Sequence, residues 1–153
     1  MNNQVILQLQ SVVETQSLKI ESVRHYETAE QLMEYSKSQK RIHNAKNPTE
    51  LAETLNEVYG IAGEKKKVTW YRINKALEEL EYQFKAEKDY HETMDVDGKQ
   101  YSVYKAWIVT DNSANLFLYK VDQRSGGLTY SIQWKPEILP ILMDHFRSEF
   151  GLG

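Results

Sequence analysis

Residues 69–84, TWYRINKALEELEYQF, decide the reading of this chain. Ile73, Ala76, Leu77, Leu80 and Phe84 recur at three- and four-residue steps, and that period predicts one amphipathic helix over the whole stretch with its apolar stripe on a core. The opposite face carries Tyr71, Arg72, Asn74, Lys75 and Glu78, and Lys65, Lys66 and Lys67 run directly into it. Trp70 is expected to face the core. A positive helix start flanked by aromatics and preceded by a second short helix is the pattern of a helix-turn-helix.

The preceding helix is sharply bounded. In Asn47-Pro48-Thr49-Glu50, Asn47 suits the cap, Pro48 the first helical position and Glu50 the return bond of a capping box. Leu51, Ala52, Leu55, Val58 and Tyr59 give its buried stripe, and Gly60 is placed to end it. The connection GIAGEKKKV over residues 60–68 is longer than a tight helix-turn-helix turn, a length that winged variants accept.

Upstream, Ile6, Leu9, Val13, Ile20 and Val23 fall on heptad a and d positions with Gln16 in the missing d, which predicts either a dimerising coiled-coil helix or an amphipathic helix lying on its own domain. Helical composition continues over residues 28–42, either as one helix or as two broken near residues 25–28. Residues 35–49, YSKSQKRIHNAKNPT, have four basic and no acidic side chains and read as a linker. The expected organisation is an oligomerisation segment over 1–44 and a binding domain over 45–153.

Downstream, residues 85–100 are charged and turn-rich, with a turn at Asp97-Gly98. Residues 101–109, 116–121 and 128–134 are rich in aromatic and β-branched side chains and predict three antiparallel strands, the last two joined through DQRSGG. Residues 138–150 predict a closing helix, with Pro140 early in it. The fold class is α+β.

The 153 residues include no cysteine, which excludes disulfides and thiolate-ligated metal. His25, His43, His91 and His145 show no ligand spacing, and the Asp95-Asp97-Gly98 stretch fails as a calcium loop because Ala106 stands at its twelfth position. No nucleophile with a base accompanies Glu78, Glu79 and Glu81, so the expectation is a binding protein without cofactor or metal rather than an enzyme. No apolar run approaches a membrane span and no signal segment opens the chain, so a cytoplasmic location is expected. The net charge of -3 divides into -3 over residues 1–34, +5 over 35–77 and -5 over 78–153. A basic middle on an acidic protein suits salt-sensitive phosphate contact.

TELAETLNEVYGI, INKALEELEYQFK and LTYSIQWKPEILPIL resemble the carboxy-terminal domain of phage antirepressors, the KilA-C type, over residues 47–146. The resemblance implies a winged-helix-like module in a phage or mobile-element regulator. On that reading Lys65, Lys66, Lys67, Arg72 and Lys75 contact phosphates of double-stranded DNA, and Tyr71 and Asn74 contribute recognition. The alternative is a protein-binding inhibitor of a host regulator or defence complex, its acidic half meeting a basic partner.

Overall fold

The computed structural model describes residues 28–59 and 67–149; the heptad stretch, Lys65 and Lys66 lie outside the described residues. The first described helix, α1 (Ala29–Ile42), begins at Thr28, whose Oγ1 accepts from the Gln31 N–H at 3.1 Å. Glu30 in the first turn and Lys40 and Arg41 in the last complement the helix dipole. Ala29 and Leu32 pack with Val96, Val121 and Leu128, and Ser36 Oγ accepts the Val121 N–H at 2.9 Å. Part of the segment drawn as a separate 1–44 unit is thus packed on the sheet of the residues that follow it. Residues 35–42, expected in a linker, are helical.

The chain then turns back and bridges the sheet, the Lys46 N–H donating to the Trp134 carbonyl and the Trp134 N–H to that of Lys46, each at 2.8 Å. Helix α2 (Pro48–Tyr59) opens on the capping box expected of it. The Asn47 N–H donates to Glu50 Oε1 at 2.9 Å and the Glu50 N–H to Asn47 Oδ1 at 2.8 Å. At its far end Asn56 clasps Val68, donating to the carbonyl and accepting from the N–H, both at 2.9 Å. Val68 leads into helix α3 (Trp70–Glu79), capped by Thr69, whose Oγ1 accepts from the Arg72 N–H at 3.3 Å.

Helix α3 is shorter than the period of its apolar residues predicts. The Tyr82 N–H donates to the Leu77 carbonyl at 2.9 Å and the Glu81 N–H to the Glu78 carbonyl at 3.0 Å, a Schellman ending with Glu81 left-handed at φ 65°. Phe84 therefore leaves the stripe for a strand, where it is exposed.

Six strands follow: β1 (Gln83–Lys85), β2 (His91–Val96), β3 (Lys99–Tyr104), β4 (Trp107–Val109), β5 (Phe117–Arg124) and β6 (Gly127–Trp134), then helix α4 (Ile138–Glu149). The protein is α+β, but the expected three-stranded antiparallel sheet is replaced by two sheets. β1 and β4 form an antiparallel pair, and the other four run in the order β2-β3-β6-β5. In that sheet β3 and β6 are parallel and the remaining neighbours antiparallel. Residues 101–109, read as one strand, are split at Lys105-Ala106 between the two sheets.

Asp97 and Gly98, at φ 52° and 80°, make the two-residue β2–β3 turn in which both positions need positive φ. Gly127 meets a different demand, because a Cβ there would lie 2.2 Å from the Ser102 carbonyl oxygen across the parallel seam. The main core joins Leu51, Leu55, Ile73, Leu77, Phe117, Trp134, Ile138, Leu142 and Phe146, so α2, α3 and α4 share one face of β5 and β6. Among the described residues no helix is long and apolar enough to cross a membrane.

Candidate functional site

Beside β6, where β3 has ended, a cleft of about 720 Å³ opens between the start of α2, the start of α3, β1 and β4. Trp70, Trp107 and Trp134 all line it, together with Asn74, Gln83 and Gln133. Trp70, expected in the core, instead stands 58 % exposed at the start of α3, edge-on to Tyr71 at 6.2 Å between ring centroids. Tyr71 is 60 % exposed. Helix packing explains this, because Ile73, Ala76 and Leu77 fill the interior and residues three positions back on the first turn overhang its rim.

Trp134 is fully buried, its ring tilted against Phe117 and edge-on to Tyr82. Its indole Nε1 finds no hydrogen-bond partner among the described residues. A buried donor left unpaired costs about 1–3 kcal/mol, and this one lies out of reach of solvent.

The ionic groups of the cleft are already engaged. Lys40 Nζ donates to the Ala45 carbonyl at 3.0 Å, to Glu50 Oε1 at 2.8 Å and to Gln133 Oε1. Burial pushes the Glu50 carboxyl up, but the bonds from Lys40 and the Asn47 N–H and the charges of Lys40 and Lys46 outweigh it and leave the group below its ordinary value. Lys120 Nζ holds both carboxylate oxygens of Asp122 at 3.0 Å. What remains for a ligand is aromatic surface and amide groups.

The residues predicted to read DNA are only partly brought together. Lys67, Tyr71 and Lys75 are exposed around the start and outer face of α3. Arg72 Nη1 pairs with Glu149 Oε2 at 3.0 Å, and Glu149 also lies 3.7 Å from His145 Nε2, so acidic groups of α4 stand beside the basic face. Asn74 points inward: it is buried, and Gln83 Nε2 donates to its carbonyl at 3.2 Å and to its Oδ1 at 3.0 Å. Asn74 is therefore placed as a clamp between α3 and β1 rather than as a base reader.

Sequence reasoning missed Trp107, Gln83, Gln133 and Lys40 as neighbours, since they come from four elements far apart in the chain. The one available signal was the number of aromatics, which exceeds what the apolar stripes use. Among the described residues no group of three or more His, Asp or Glu side chains could hold a metal. Comparison with protein-family models, with curated proteins and with solved structures finds no match to this chain.

Proposed function

We propose that the protein is a non-catalytic binding module whose cleft and exposed aromatic rim engage a partner protein. The observation that carries this is the exposure of Trp70 at the mouth of the cleft, with Tyr71 exposed edge-on beside it. Trp and Tyr are the usual anchors of protein interfaces, and their exposed rings cost the free protein apolar surface that only a partner recovers.

The test uses the full chain as bait. Trp70→Ala with Tyr71→Ala reduces capture of a host partner at least about 30-fold, the scale of a truncated anchor, with an unchanged Tm. Capture that survives the double variant overturns the proposal.

A second reading, DNA binding by a winged-helix-like domain of the KilA-C type, is favoured by the exposed face of Lys67, Tyr71 and Lys75 on α3. Random-sequence duplex would then bind with an affinity that collapses as salt rises, and Lys67→Ala with Lys75→Ala would lower the salt slope by about 2. The engagement of Arg72 by Glu149 and the burial of Asn74 place this reading second.

A further inference from the structure

The hydrogen-bond pattern of β6 identifies what the cleft can hold. In an antiparallel pair, opposed residues alternate between those that bond each other and those whose N–H and C=O groups point away. Trp134, opposite Phe117, bonds Lys46 on the far side instead, and Val121, opposite Tyr130, donates outward to Ser36. Both pairs are of the second kind. Ile132, opposite Tyr119 and midway between them, is therefore of that kind too, and its N–H and C=O point away from β5 toward the cleft side.

On that side β3 pairs no further than Thr129 and Lys46 takes up the pairing at Trp134. No described strand pairs with Ile132 between them. At about 3.3 Å per residue the interval from 129 to 134 spans roughly 16 Å, room for about four extended residues. The cleft that opens beside it is walled by Trp70 and Trp107.

We infer that this interval is a strand-addition site, which takes an uncharged, extended segment of about four residues from a partner polypeptide and pairs it with Ile132. The inference rests on the reading of the cleft as a protein-binding site and names its occupant. An extended backbone supplies, in alternation, the acceptor for the Ile132 N–H and the donor for its C=O. The segment is uncharged because Lys40 and Glu50, and Lys120 and Asp122, already neutralise one another within the cleft. Its apolar side chains meet Trp70 and Trp107.

The probe is a pool of acetylated, amidated, uncharged hexapeptides added to the full chain, with amide hydrogen exchange followed residue by residue. The expected result is binding that slows exchange of the Ile132 amide at least about tenfold. In the best sequence, N-methylation at the residue that donates to Ile132 then lowers affinity at least about tenfold, while methylation at the residue on either side is tolerated. Peptide binding without protection of Ile132, a flat methylation scan, or no binding at millimolar peptide overturns strand addition. If no peptide binds but Trp70→Ala with Tyr71→Ala still abolishes capture of a folded partner, the protein-binding reading survives alone. If capture is also indifferent to those substitutions, both fail.

Discussion

Asn74→Ala separates a structural asparagine from a recognition one. Asn74 is 9 % exposed, and Gln83, 2 % exposed, gives its amide protons to the Asn74 carbonyl and Oδ1. Truncation leaves the Gln83 amide short of an acceptor in a site with little access to water, at a cost of about 1–3 kcal/mol. Each kcal/mol lowers Tm by roughly 2–4 °C in a chain of this size, so the variant melts about 6 °C below the parent. Lys75→Ala, on the exposed side of the same helix, stays within about 0.5 kcal/mol. A double-mutant cycle with Gln83→Ala checks the cause, because the second truncation costs little once the first has been made. Thermal unfolding followed by circular dichroism reads the four proteins of the cycle and Lys75→Ala. An Asn74→Ala chain with the parental Tm and weakened binding to duplex DNA would refute this reasoning and return Asn74 to a reading surface.

Gly127→Ala forces a Cβ to within 2.2 Å of the Ser102 carbonyl oxygen, so the parallel β3–β6 seam opens and Tm falls by an amount matching about 3 kcal/mol; a shift under 2 °C contradicts the seam. Glu81→Gly relieves the left-handed backbone at φ 65° and raises stability by about 1 kcal/mol in urea unfolding, whereas a loss means that the Glu81 side chain is needed there. The Glu50 carboxyl titrates below its ordinary 4.5 in the folded chain, so its contribution is complete above that value and disappears as pH falls through the lower folded one. Stability measured from pH 6 to 3 therefore declines less steeply in Glu50→Gln than in the parent; equal slopes would exclude this group.

Local chemistry was the legible part of the sequence. The capping box at Asn47 and Glu50 and the turn at Asp97-Gly98 rest on neighbours within a few residues and stand as read, while the β5–β6 hairpin forms with a shorter connection than DQRSGG, only residues 125 and 126 lying between the strands. The end of α3 was not legible, because its Schellman turn uses Glu81 where glycine is the usual signal, and Leu80 and Phe84 continue the helical period by coincidence. Strand β2 escaped because only Val96 of His91–Val96 is buried, which leaves no apolar alternation to read. The second half of helix α1, residues 35–42, looked like part of a linker since its contribution is made by Ser36 bonding an open strand edge and by Lys40 bonding three partners, neither of which produces a hydrophobic pattern.

The candidate site was legible only as a surplus of aromatics around α3. Tyr71 is exposed as expected, while Trp70 and Asn74 exchange places, the apolar ring outside and the amide inside. The cause is the short helix: with Gln83 turned back on β1 beside α3, an amide partner is available inside and Asn74 takes it. The cleft itself arises where β3 stops short of the end of β6, a difference in strand length that no single stretch of sequence encodes.

The most direct test is a pair of nitrogen-15 NMR titrations on one sample, reading the indole N–H signals of Trp70, Trp107 and Trp134. The uncharged hexapeptide pool shifts the indoles of Trp70 and Trp107, which wall the cleft, more than that of the buried Trp134, and duplex DNA leaves them in place. Indoles that ignore the peptides, with duplex DNA shifting the amides of Lys67 and Lys75, would contradict the protein-binding cleft.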